Sequence, residues 1–494
     1  MKKYINKITK ALVVALVAFG THSCGDAYLE DVQVYNIDSE NYFNSESDYY
    51  DALVGAYDLL QSSYANAILG EIASDNTLCG GESATDVIGW QQIDDMVHTP
   101  VNDNLRDIWN WMYAGVSRTN FILEFQDKTD FEGRAALIAE ARFLRAYYYF
   151  ELVKWFGPVP LKETRFQIGD ETSVPRAPVA DVYALIEADL SYAVSNLTYV
   201  APQVGRATKG SAQALLGKAY LFQKKYAEAT AAFDNLIEMG PYDLVEDYEM
   251  LWEAEGENGI EAVFEIQYTD IEGAGFECLQ CSEGNVAIGF SGIRNYTGPL
   301  FSSGFSFNVP TEESYNAFDD DDLRKDIAIL DIEAWAAQEG ATFGTGYEHT
   351  GYFNRKYIPR KRSEQAAGDL NLTNPGNYRA IRFADVLLMA AEAYNSGGLG
   401  DTKAQEYLNR VRRRAFGVDD ASKDITDTGT NLTSAIAQER RLELMGEGHR
   451  FFDLVRTGDG SRIPGFVEGK HNVFPIPIEE IQFANGNWEQ NPNY

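Results

Sequence analysis

The sequence predicts a mainly α-helical fold of about four tetratricopeptide-like helix pairs carrying a loop-rich face. Three observations lead there. Apolar residues recur at helical spacing along much of the chain. The stretch from Gly210 to Pro241 fits a 34-residue tetratricopeptide unit. Two long segments, Ser74 to Asn104 and Gly256 to about Gly376, are instead rich in Gly, Ser, Asn, Thr and aromatic residues, and irregular insertions of that length inside a helical protein tend to carry function.

In chain order, MKKYINKITK places Lys2, Lys3, Lys7 and Lys10 ahead of ALVVALVAFG, an apolar run from Ala11 to Gly20. At about 10 residues the run is too short to span a bilayer and reads as an export signal. It closes on THSC, and a small residue directly before Cys24 suits a bacterial lipoprotein signal. Residues 1–23 would then be removed and Cys24 lipidated, holding the protein on a membrane without spanning it. Thr21 stands where a leucine-like residue is more usual. From Gly25 to about Ser45 the chain is polar and reads as a tether.

Helices follow. SESDYYDALVGAYDLLQSSY puts Tyr50, Leu53, Tyr57 and Leu60 on one stripe, with Ser45 or Ser47 as N-cap. NDNLRDIWNWMYAGVSRTNFILEF repeats the pattern through Leu105, Ile108, Trp109, Met112 and Val116. The aromatic run EARFLRAYYYFELVKWFGPVPL could be a stacking surface, but its spacing favours an interior helix. Phe143, Tyr147 and Phe150 form one stripe, and Leu144, Tyr148, Leu152 and Trp155 form the adjoining one. Gly157 and Pro158 then end it. With Gly210 as repeat position 1, small Gly217 and Ala229 let two helices approach, while Leu216, Tyr220 and Phe233 fill the groove and Pro241 closes the unit. A looser copy has Ala391 and Tyr394 in its first helix and Ala404 and Leu408 in its second. Within the second insertion EAVFEIQY reads as a short strand.

The 75 acids and 41 bases leave a formal charge of −34, which repels polyanions and points away from nucleic acid and towards a neutral partner. Beyond Cys24 there are Cys79, Cys278 and Cys281. CLQC has redox or half-zinc spacing, yet FECLQCSEGN reads as a loop, so a structural disulfide or quiet thiols is the better reading.

Seven blocks, in order, resemble the SusD/RagB family of outer-membrane lipoproteins of Bacteroidota. They are CGDAYLE, AEARFLRAYYYFELVKWFGPVPL, ATKGSAQALLGKAYLF, YRAIRFADVLLMAAEAYN, YLNRVRRRA, ERRLELMGEGHRFFDLVRTG and FPIPIEEIQFANGNWEQNPNY. The resemblance implies one SusD-like fold over residues 24–494, with an N-terminal part, 24–255, and a C-terminal part, 256–494. It further implies a surface-exposed, lipid-anchored lid on a SusC-like TonB-dependent transporter, binding an oligosaccharide or polysaccharide without catalysis or cofactor. A structural calcium ion stays open. Some family members take oligopeptides instead.

A glycan offers flat C–H faces for aromatic rings and hydroxyls for Asp, Asn and Arg. In the first insertion that singles out Trp90, in VIGWQQ, as either a stacking platform or a plug of its own loop. Asp75 and Asn76 lie where the family commonly places an Asp near ligand, or else cap the turn. In the second insertion the candidates are Phe290, Arg294, Tyr296 and Phe301, against ordinary packing. A disulfide such as Cys79 to Cys281 could brace the two insertions, although spacing does not fix the pairing. ERRLELMGEGHRFFDLVR, with Glu439, Arg440, Arg441, Glu443, Glu447, His449, Arg450 and Asp453, reads as a structural charge network. The rival classes are a surface glycoside hydrolase, whose carboxylate pair cannot be dismissed by counting, and a repeat scaffold that binds only protein.

Overall fold

Ser45 starts the first helix of the computed structural model, which describes residues 41–165, 174–273, 275–360, 362–363 and 365–494. The export signal, Cys24 and most of the expected tether lie outside the described residues. The Ser45 hydroxyl accepts from the Asp48 amide and the Asp48 carboxylate accepts in return, a reciprocal cap for α1 (Glu46–Asp58). The inward stripe of α1 is Tyr49, Leu53 and Ala56, one step from the expected one; Tyr50 and Tyr57 are half-buried at its edge. Both readings share Leu53, and only the neighbouring helices decide which flank faces in.

After α1 come α2 (Tyr64–Ile72), β1 (Thr77–Cys79), α3 (Ile88–Asp94), α4 (Asp103–Glu124) and α5 (Arg134–Phe156). The predicted stripe of α4 is buried throughout. In α5 both predicted stripes are buried, as is almost every residue from Leu137 to Phe156. Gly157 ends the helix at φ +70°, a conformation that favours glycine, and Pro158 follows. Tyr148 donates to Ala56 O at 2.6 Å, so even the phenol of this aromatic run is satisfied inside the protein.

The chain continues through α6 (Val179–Asn196) to the predicted repeat, α7 (Lys209–Phe222) and α8 (Tyr226–Met239). A Cβ on Gly217 would lie 2.4 Å from the ring of Phe233, so the small residue of α7 is what lets α8 approach. β2 (Ala262–Ile266) opens the second insertion, followed by α9 (Val286–Ser291), β3 (Asn308–Pro310), β4 (Ile329–Asp331), α10 (Ile332–Glu339) and β5 (Tyr352–Asn354). β6 (Tyr378–Arg382) returns antiparallel to β2. It leads into the second repeat-like pair, α11 (Phe383–Ser396) and α12 (Asp401–Phe416), where Ala391, Ala404 and Leu408 are fully buried. α13 (Gly429–Glu443), α14 (Arg450–Thr457) and a short α15 (Ile478–Phe483) follow.

Candidate glycan-binding face

The two insertions are stitched into one face by backbone. β1 pairs antiparallel with β3, Leu78 facing Val309. The Gly81 amide donates to Ser306 O at 2.8 Å, and the Tyr347 amide donates to Gly81 O at 2.9 Å. A Cβ on Gly80 would sit 2.1 Å from Ser306 O, so this crossing tolerates only glycine.

Trp90 lies in α3, not in a loop, and is 3% exposed. Its ring meets Phe290 at 4.7 Å and Phe307 at 5.3 Å, edge to face. The expectation of an open stacking platform is therefore corrected: Trp90 and Phe290 form the interior that joins the insertions. Of the polar neighbours of Trp90, Gln91 serves the backbone, its Nε2 donating to Gly80 O at 2.7 Å, and Gln92 accepts from Asn102 Nδ2 at 3.2 Å.

Tyr296 and Phe301 are also buried, in a small separate core with Ile293, Leu330, Ile332, Phe353 and Ile358. Tyr296 donates to Pro299 O at 2.7 Å and accepts from Trp335 Nε1 at 3.0 Å. As exposed stacking rings these two are likewise corrected, because the insertion needs a core of its own to hold its shape. Arg294 stays half-buried beside the Gly81 crossing. It donates to Phe305 O at 2.8 Å and Ser306 Oγ at 3.2 Å and lies 3.9 Å from Asp86.

Asp75 and Asn76 are held from the other side. Arg450 clasps Asp75 at 2.6 and 2.7 Å, with Arg462 at 3.3 Å. Burial would raise the Asp75 carboxyl, but Arg450 and Arg441 outweigh it and hold it below its ordinary value. Asn76 accepts from Arg441 Nε at 2.8 Å and donates to Glu71 at 3.2 Å. The predicted residues thus fall into three groups: Trp90 with Phe290, Tyr296 with Phe301, and Asp75 with Asn76 on the C-terminal arginines. Arg294 adjoins the first. The disulfide is Cys278–Cys281, within its loop, and Cys79 is a buried free thiol, so the suggested Cys79 to Cys281 brace is corrected. Backbone pairing does the bracing.

The side chains that do face outward here are different ones. Trp335 on α10 is half-buried, its ring 5.2 Å from Phe301 and its Nε1 fixed by Tyr296. The segment 341–350 adds half-buried Phe343, Tyr347 and His349, with Phe343 and His349 rings 5.7 Å apart. Thr342 exchanges two backbone hydrogen bonds with Thr297, each 2.9 Å, and the Gly344 amide donates to Arg294 O at 2.8 Å, so this aromatic rim is pinned to the small core. Sequence reasoning passed over them. DIEAWAAQEG, a tryptophan among alanines and acids, and FGTGYEH, rings spaced by glycines, were the available signals.

The rim is acidic. Asp94 accepts from the Cys79 amide at 2.8 Å, and burial, with Asp95 and Glu348 adding to it, pushes its carboxyl up to about 7. The hydrogen bond from Tyr347 to Glu348 raises the phenol. Among the described residues no group of three or more His, Cys, Asp or Glu side chains could hold a metal ion. Half-exposed rings on a pinned base, with a charged arginine and carboxylates around them, suit stacking and hydrogen bonding.

A family model described as the SusD family matches residues 331–461, and one described as starch-binding, associating with outer membrane, matches residues 27–221. A solved laminarin-binding SusD-like protein is 33% identical, covers 92% of this chain and 100% of its own, and superposes with a TM-score of 0.83. Surface glycan-binding protein A from Bacteroides thetaiotaomicron, solved in complex with laminarihexaose, is 27% identical, covers 91% of this chain and 100% of its own, with a TM-score of 0.78. SusD-like protein P2 of Formosa agariphila is 28% identical over 538 residues that span 100% of both chains. The helical repeats, the inserted face and these matches agree, and the chain belongs to the SusD/RagB family.

Proposed function

We propose that the protein is a glycan-binding lipoprotein of the outer membrane that captures a neutral oligosaccharide or polysaccharide and passes it to a SusC-like TonB-dependent transporter. The observation that carries this reading is the likeness, over nearly the whole chain, to a laminarin-binding SusD-like protein. The aromatic rim agrees with it: Trp335, Phe343 and Tyr347 supply ring surface, and Arg294, Asp86 and Glu348 supply polar groups beside it. Binding needs no catalysis and no cofactor, and Cys24 is the anchor.

A calorimetric screen of the protein without its first 24 residues, against laminarihexaose, other neutral hexaoses and oligopeptides, tests it. Laminarihexaose is the expected ligand. The double variant Trp335→Ala, Tyr347→Ala is expected to weaken this binding at least several-fold, since a ring contact contributes about 1 kcal/mol beyond its buried area. Peptide binding without glycan binding would sink the function. Unchanged glycan affinity in the double variant would sink the site.

A further inference from the structure

Two hollows lie along segment 199–206, apart from the aromatic rim, the first of them reaching the start of the second insertion at Glu265, Ile266, Gln267 and Glu283. One, of ≈330 Å³, runs between α1 and β2; the other, of ≈560 Å³, lies on the opposite flank of Tyr50 and Arg206, which line both. Volumes of about 300–1,000 Å³ are those of small-ligand sites. We propose that the smaller hollow is a second binding cleft, for one or two units of an uncharged sugar.

Its chemistry sets the class of ligand. Arg206 is paired with Glu140, which also accepts from Tyr57 at 2.7 Å, so its charge is already matched within the wall. Asp58 is paired with Arg118 at 2.6 Å. Glu283 accepts the Gln61 amide at 2.7 Å, and Glu265 accepts from the Asn258 amide and Asn377 Nδ2, both at 3.0 Å. An anionic ligand would meet no free cation there. What is offered is neutral: the Tyr50 hydroxyl donates to Gln203 Oε1 at 2.9 Å, while Gln203 Nε2 and Gln61 Oε1 have no partner among the described residues. Leu53 and Leu60 give apolar wall, and Val54 and Val204, 50% and 72% exposed, form an apolar lip. Apolar walls with amide donors and acceptors and a phenol match a pyranose, which has C–H faces and hydroxyl edges. An acidic sugar or an acidic peptide would bring carboxylates that no free cation here would pair.

The inference shares its ligand class with the function proposed above but not its site, and four proteins separate the two. Val204→Trp fills the mouth of the cleft at an exposed position and should melt like the unaltered protein. Trp335→Ala, Tyr347→Ala impairs the inserted face, and the triple variant combines both. By titration calorimetry and ligand-observed saturation-transfer NMR with laminarihexaose, the full-length mature protein should bind two equivalents. Each of the two lesions should remove one, by at least tenfold in affinity, and the triple variant should remove both. A single equivalent that disappears in the face variant and survives Val204→Trp overturns the cleft and leaves the function standing. A single equivalent lost only with Val204→Trp supports the cleft and overturns the face. No saccharide binding by the unaltered protein overturns both.

Discussion

Trp90 and Trp335 have the same side chain and opposite surroundings. Trp90 is closed in by Phe290 and Phe307, while Trp335 rests one edge on Phe301 and leaves the rest half-open. Truncation should separate the roles. Trp90→Ala is expected to cost about 3–5 kcal/mol of stability, the range for emptying a large ring from a packed interior, and to lower the melting temperature by several degrees. Trp335→Ala should leave the melting temperature within about a degree or two and act on binding instead. Differential scanning calorimetry on the two single variants decides it, and a Trp90→Ala protein as stable as the unaltered one would contradict the joint described here. The sequence could not make this distinction. VIGWQQ shows small and polar neighbours that look like a binding loop, yet Gln91 turns to a backbone carbonyl and the two phenylalanines that enclose the ring lie some 200 residues on. Likewise the sequence leaves Asp75 and Asn76 between a ligand role and a turn cap, because their arginines, Arg441 and Arg450, arrive from the far end of the chain.

Within single elements the sequence was far more legible, because a helix's pattern is set by residues three and four apart. α4 and α5 bury the stripes read from their spacing, and α7 and α8 meet at the glycine and phenylalanine that the repeat requires. α1 marks the limit of that legibility: its period is right but its phase is off by one residue, since Tyr49 and Tyr50 are equally apolar and only contacts with α4 and α5 choose between them. The CLQC pair shows the same limit: its two cysteines form a disulfide within their own stretch, so the partner of Cys281 is three residues away and not across the insertions. The α7–α8 contact gives a direct test. Gly217→Val would force Cβ and its methyls into the ring of Phe233, which is fully buried and has nowhere to go. Overpacking of this kind costs about 1–3 kcal/mol, and the β-branch offsets part of what valine would gain over glycine in a helix. A lower urea midpoint is expected for Gly217→Val, with recovery in a Gly217→Val, Phe233→Leu double variant. No recovery would mean the cost lies elsewhere than in this contact.

Across the whole molecule, the second insertion is tied to the C-terminal helices by buried charge. Arg382 on β6 contacts Glu261, Glu443 and Glu447; Arg414 on α12 contacts Glu261 and Glu443; Arg324 contacts Glu439 and Glu443; Lys356 contacts Glu447. All of these side chains are almost wholly inaccessible, so each charge depends on its partners. Burial alone would raise the Glu443 carboxyl, but Arg414, Arg382, Arg324 and Lys356 hold it well below the ordinary carboxylate range; Arg440 and Arg456 do the same for Asp453. A carboxylate held low in the folded state stabilises the protein above its ordinary titration range and loses that contribution as pH falls towards the folded value. His449 adds to this from higher pH: burial and Lys218 push it down to about 3, so the unfolded chain takes up a proton near the ordinary histidine value that the folded protein refuses. Stability should therefore begin to decline below about pH 6.5 and fall steeply below about pH 4.5. Glu443→Gln should cost about 3–5 kcal/mol near pH 7, since it leaves several guanidinium groups short of a partner, and should show a shallower decline below pH 4.5 because one titrating group is gone. Melting temperatures of both proteins between pH 3 and 8 check the two parts together. Parallel curves would remove Glu443 from the acid response even if the variant were less stable at every pH.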